Sequence, residues 1–170
     1  MSLNRRNFVG LSLLALAGCG FTPVYGGAHG KAASAALDNV KIERIPDRPG
    51  QLLQQALQQD FYTNGQPVQE LYLLTVYYTI TPLGQGIQAD SSTSRTRFNA
   101  VAQWHLSPIG KPSQTLTSGT ATAVGALNII DQQYFAVNLE TQTVDQELAN
   151  QISAQVTTQL AAWFAAHPGP

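Results

Sequence analysis

Cysteine is almost absent from this chain: of its 170 residues only Cys19 is one. No intramolecular disulfide can form, and no thiolate metal site can be assembled, so packing alone must hold the fold. Charge is scarce too, at 11% of residues against about 25% in ordinary soluble domains. None occurs over Leu71 to Ala89, over Pro112 to Ile130, or from Leu148 to the end apart from titratable His167. A net charge of −1 leaves no basic field for a nucleic acid. The three histidines, His29, His105 and His167, fall in a glycine-rich stretch, on a strand and in the tail. No pair has the spacing of a metal site or a catalytic triad. Gly84-Gln85-Gly86 lacks the third glycine and the strand-to-helix setting of a dinucleotide loop. No Gly-x-Ser-x-Gly or Walker pattern occurs. The expectation is a protein without catalytic activity, cofactor or metal.

What is present begins with Asn4-Arg5-Arg6-Asn7-Phe8 and an apolar run to Ala17. Two positive charges before a short apolar segment that ends in small residues is the layout of an export signal. The ten residues from Phe8 to Ala17 fall short of the roughly 20 that a transmembrane helix needs. Leu16-Ala17-Gly18-Cys19 resembles the lipobox of bacterial lipoproteins at every position. The resemblance implies removal of residues 1–18 and acylation of Cys19. Two or three acyl chains hold a domain firmly on a membrane, since each buried methylene contributes about 0.8 kcal/mol. The residue after Cys19 is Gly20 rather than Asp, which in enterobacterial lipoproteins resembles an inner-membrane retention signal, and this points to the outer membrane, with the domain on its periplasmic side. Arg5-Arg6 with Phe8 also resembles a twin-arginine signal, so either export route remains open.

The piece from Cys19 onward carries seven Lys or Arg and ten Asp or Glu, a net charge near −3, together with 18 Gln and 15 Thr. A wide polar surface without charge suggests contact with something other than water, or else a habit of composition. Residues 19–36 read as a lipidated start and a linker, its Ala28 to Ala36 part small and unpatterned, and 37–170 as one domain.

Within that domain a strand is expected at Asn39 to Ile45, with Val40 and Ile42 on one face. Asp47-Arg48-Pro49 reads as a helix start with Asp47 as capping acceptor. Leu52, Leu53, Ala56, Leu57 and Phe61 then recur at helical spacing opposite Gln54, Gln55, Gln58 and Gln59. Asn64-Gly65 and Pro67 end this helix, placed at Pro49 to Tyr62. Glu70 to Thr81 is the strongest strand, with Leu74, Val76, Tyr78 and Ile80 on one face and Leu71, Leu73, Thr75 and Tyr77 on the other. The second apolar row needs a cover, either core from a longer sheet or a partner protein.

Pro82, Gly84 and Gly86 read as a turn, followed by a strand over Thr93 to Leu106. Its inward row is Phe98, Ala100, Ala102, Trp104 and Leu106, with Arg95, Arg97, Asn99, Gln103 and His105 outward. Pro108 to Pro112 turns the chain into a fourth strand, Gln114 to Val124, whose inward row is ambiguous. A long helix over Gln132 to Ala166, with a break possible around Asn138 to Thr141, carries Val144, Leu148, Ile152, Val156, Leu160 and Phe164 as an apolar stripe joined by Trp163. Its far side is Gln142, Gln146, Asn150, Ser153 and Thr157. The expected fold is α+β, in the order β-α-β-β-β-α: two helices on one face of a mostly antiparallel sheet of about four strands.

Leu-Ala-Gly-Cys-Gly-Phe-Thr-Pro-Val-Tyr-Gly, residues 16 to 26, resembles the start of the alphaproteobacterial LPS-assembly lipoproteins of the LptE family. The order of elements is similar as well. The resemblance implies an outer-membrane lipoprotein that plugs an LptD-type barrel, assists its assembly and takes part in lipopolysaccharide delivery to the outer leaflet. By chemistry, Arg95, Arg97 and Lys111 are candidates for phosphate contact, beside the alternative of solvated charges. Leu71, Leu73 and Tyr77 are candidates for the partner interface. Two other classes stay open: the auxiliary lipoprotein of a periplasmic, ABC-type lipid transporter, and a lipid-anchored hydrolase or wall-binding protein.

If Cys19 is the anchor, Cys19→Ala should send the domain to the soluble or uncleaved fraction. Continued labelling of that variant with palmitate would show the anchor to lie elsewhere.

Overall fold

A computed structural model describes residues 34–62, 65, 69–87, 93–128 and 134–167. The leader with Cys19, the linker as far as residue 33, Asn64 and Pro67 lie outside the described residues. Residues 34–36, the end of the expected linker, form one helical turn with Leu37, which is buried. The elements that follow are β1 (Val40–Ile42), α1 (Arg48–Phe61), β2 (Tyr72–Ile87), β3 (Thr93–Pro108), β4 (Thr117–Asn128) and α2 (Tyr134–Ala166). The order matches the expected α+β fold.

The sheet runs β1-β2-β3-β4. β1 is parallel to β2, and the other two pairs are antiparallel. A parallel neighbour needs a crossover, which α1 supplies. Both helices lie on the face that carries Leu74, Val76, Ala100, Ala102, Trp104, Leu106, Ala121 and Ala123, all buried. The stripe Val144, Leu148, Ile152, Val156, Leu160 and Phe164 of α2 is buried as expected. α2 runs unbroken through Asn138 to Thr141.

The inward row of β4 is small for a reason found in its neighbours. A Cβ on Gly119 would lie 2.6 Å from Trp104 Cζ2, and one on Gly125 would lie 2.8 Å from Val144 Cγ1. Alanine and glycine here make room for larger side chains on β3 and α2.

Three expectations are corrected. Pro82, Gly84 and Gly86 do not turn the chain but continue β2, where Pro82 pairs with Phe98. β1 ends at residue 74 of β2, apart from a bond from Glu43 N to Leu74 O. Among the described residues Pro82 therefore sits on an edge with no neighbouring strand, where its missing N–H costs no ladder bond. Asp47 occupies the N-cap of α1 but makes no side-chain capping bond, and its backbone stands at φ 65, ψ 168. That region is costly for a residue other than glycine. Gly50 in the first turn touches Ile45 so closely that a Cβ would lie 2.7 Å from Ile45 Cγ2.

The last correction concerns the far side of α2. Ser153 and Thr157 are buried, as are Ala149 and Ala161. Ser153 Oγ donates to Asp60 Oδ2 on α1, and Thr157 Oγ1 donates to Ser153 O. The helix thus has a second buried row, made of small residues, where α1 packs. Gln142, Gln146 and Asn150 are exposed, as expected.

Because Ile152 is fully buried in the stripe, Ile152→Ala should cost about 2–5 kcal/mol. Gln146→Ala should be near neutral. Chemical denaturation of the isolated domain checks both.

Candidate functional site

The sheet face away from the helices is built by strand alternation. Leu73, Thr75, Tyr77, Thr79, Thr81 and Leu83 of β2 lie opposite Ser107, His105, Gln103, Val101, Asn99 and Arg97 of β3. Next to them stand Ser118, Thr120, Thr122, Val124 and Ala126 of β4. Two of the three charge-free stretches of the sequence thus hold the strands that flank β3, and the third falls in α2. Across the middle of this face the described side chains carry no formal charge. Arg95 and Arg97 mark one end, and the other is marked by Lys41, with its ion pair to Glu70 at 2.8 Å, and by Glu43, whose carboxylate accepts from Thr75 Oγ1.

No other described helix or strand covers the face, although Ser107 at its β1 end is fully buried. Tyr77 is 65% exposed and Leu71 40%, while Leu73 is half-buried. All three interface candidates therefore lie on one face, near the β1 end. Tyr77 stacks on His105 with ring centroids 6.2 Å apart. Around this pair is a shallow depression of about 320 Å³, which Gln103, Ser118 and Thr120 also line. Val101 and Val124 are exposed too, although the sequence pattern did not single them out.

The three basic candidates are not brought together. Arg95 and Arg97 are exposed on the same face of β3, two residues apart. Lys111 lies in the turn after Pro108, and the eleven residue-to-residue steps from Arg97 to Pro108 span roughly 37 Å of strand. Lys111 cannot share a phosphate group with the two arginines.

The two sheet edges differ. On β4, Thr122 N–H donates to Gln155 Oε1 at 3.2 Å, and Gln155 Nε2 donates to Thr122 O at 2.8 Å. Gln159 Nε2 donates to Thr120 O, and its Oε1 accepts from Trp104 Nε1. Two glutamines of α2 thus occupy the edge of β4 as a neighbouring strand would. Glutamines at that spacing read as a polar helix face, so this role had no signal in the sequence. On β2, beyond Leu74, no strand or side chain takes that place among the described residues. A cleft of about 290 Å³ opens there between Glu43, Arg44 and Pro46 and the Thr75–Thr79 part of β2.

Between sheet and helices lies a polar pair. Burial, with the Asp145 carboxylate adding to it, pushes the Tyr78 hydroxyl up to about 12, and that oxygen is buried without a hydrogen-bond partner among the described residues. Burial also raises Asp145 above its ordinary value, which Arg48 partly offsets.

No family model and no curated protein matches the chain. Solved structures do share its fold. A candidate lipoprotein from Caulobacter crescentus CB15 superposes with a TM-score of 0.63 at 18% identity, over 81% of this chain and 98% of that one. Rare lipoprotein B from Shewanella oneidensis gives 0.57 at 8% identity, over 77% and 98%. A minor lipoprotein from Acinetobacter baumannii gives 0.53 at 16% identity, over 72% and 88%. At these identities the fold is what is shared.

A carboxyl whose folded pKa is raised is destabilising once ionised, and the penalty disappears below its ordinary pKa. Asp145→Asn should therefore raise the melting temperature at neutral pH and leave it unchanged in acid. Thermal melts across pH check this; a gain that persists in acid would mean that packing, not charge, is responsible.

Proposed function

We propose that the chain is an outer-membrane lipoprotein whose domain sits within an LptD-type barrel, assists its assembly and takes part in lipopolysaccharide delivery. The observation that carries this reading is the uncovered sheet face, polar yet free of charge across its middle. A surface pressed against a polar barrel wall must give up its water. Threonine and glutamine can exchange that water for hydrogen bonds to the wall, whereas an unpaired charge cannot be desolvated cheaply. The lipobox at Cys19 and a fold shared with solved lipoproteins support the same reading. The role is one of binding rather than catalysis. Within it, Arg95 and Arg97 are the pair suited to a phosphate of lipopolysaccharide, since guanidinium forks match phosphate oxygens. Lys111 stands apart from them.

Tyr77→Glu tests the face. Tyr77 is 65% exposed, so the isolated domain should keep its circular dichroism spectrum and its melting temperature. Burying the new carboxylate against the wall should cost several kcal/mol and abolish co-purification with the barrel from detergent-solubilised outer membrane. Full recovery of the barrel with the variant would place the contact elsewhere. Recovery of an inner-membrane transporter with the wild type would favour the auxiliary lipoprotein of a lipid transporter.

A further inference from the structure

The edge of β2 carries an inference that the sheet face does not. β2 and β3 pair without a bulge. Ile109 N donates to Leu71 O, so the odd residues of β2 aim their peptide groups at β3, and the even residues aim theirs at the outer edge. Leu74 agrees, since its carbonyl accepts from Glu43 N on that side. Beyond it, Val76, Tyr78 and Ile80 each present an N–H and a C=O outward with no strand beside them among the described residues. Pro82 then removes the next outward donor. The result is a window of three outward residues, bounded by the end of β1 and by Pro82. It fits a single extended segment of about five or six residues.

We infer that this window receives an extended, uncharged loop or chain end of the partner barrel, added as an extra strand antiparallel or parallel to β2. The inference rests on the barrel reading above and names how the barrel is held. Three observations choose the occupant. First, the unpaired groups are peptide groups, and the ligand that satisfies alternate N–H and C=O at strand spacing is another extended backbone. Second, the only charged side chains lining the adjoining cleft are Glu43 and Arg44, of opposite sign. The side chains along the window are uncharged, so a charged segment would find no complement. Third, a second copy does not fit. A two-fold pairing centred on Tyr78 would set Pro82 of one copy opposite Leu74 of the other, where Glu43 is already bonded.

The wall of a closed barrel has no unpaired strand to offer, so the segment must come from a loop or a terminus. The contrast with β4 strengthens the assignment. There Gln155 and Gln159 close the edge from within the chain, whereas the window on β2 is left for another molecule.

Hydrogen exchange of the wild-type mature chain, alone and co-purified with the LptD-type barrel of the same bacterium, tests the inference. In the free chain the amides of Val76, Tyr78 and Ile80 should exchange quickly, while those of Tyr77 and Thr79, bonded to β3, stay protected. In the complex the three outward amides should slow at least about 100-fold. Ile80→Pro, which removes one outward donor as Pro82 already does, should weaken barrel recovery at least about tenfold. The exchange measurement on the wild type stands whether or not that variant folds.

A complex in which the three amides remain fast would overturn the strand-addition inference and leave the barrel reading intact. Failure to form any complex would overturn both. Protection already present in the free chain would show that the chain's own segment before residue 34 fills the window, and would likewise overturn the inference.

Discussion

The close approach of α2 to the sheet is the contact on which the rest depends. Six large side chains of the helix stripe are buried together, each contributing about 1.5–3 kcal/mol. They can descend only because β3 and β4 keep their inward rows low with Ala100, Ala102, Ala121, Ala123 and two glycines. A side chain at Gly119 would strike Trp104 and Gln159, and one at Gly125 would strike Val144 of the helix, so either would push α2 away from the sheet. With it would go the glutamines that close the β4 edge, since Gln155 and Gln159 reach the strand from the same helix. Core packing and edge protection are thus one arrangement.

With no disulfide to close the fold, polarity has to be placed with care. The helix side of the sheet takes the apolar residues, α1 and α2 meet through alanine, serine and threonine, and the few charges near the core, Asp60 and Asp145, stand where the helices meet each other or the sheet. Ser153 with Asp60 and Trp104 with Gln159 satisfy polar groups where helices meet each other or the sheet. The Tyr78 hydroxyl is the exception.

Elements whose pattern is set by their own residues were legible in the sequence. The alternation of β3, the row of α2 at four-residue steps and the amphipathic α1 all stand where periodicity puts them. What was not legible depends on residues far along the chain. The inward row of β4 looks ambiguous because its glycines answer to Trp104 and Val144, not to their own neighbours. Pro82 and Gly84 read as punctuation, yet proline is harmless on an edge whose N–H faces away from the ladder. Ser153 reads as a solvent residue until Asp60 of α1 is brought to it. For the site, the charge-free face could be read from composition, with Leu71, Leu73 and Tyr77 on one side of it. The separation of Lys111 from the arginines could not, because it follows from where Pro108 ends a 16-residue strand.

The bare middle of that face also has a kinetic side. Charged patches speed encounter by steering, and an uncharged one forgoes it, so association falls to the slow range of unsteered protein pairs. Ionic strength would then hardly change the rate. A tether that keeps the domain in the plane where its partner floats makes up the loss, because confinement raises the local concentration without any new contact. Under the barrel reading the acyl chains at Cys19 would supply that confinement, and speed of capture would depend on the length of the segment between Cys19 and the domain.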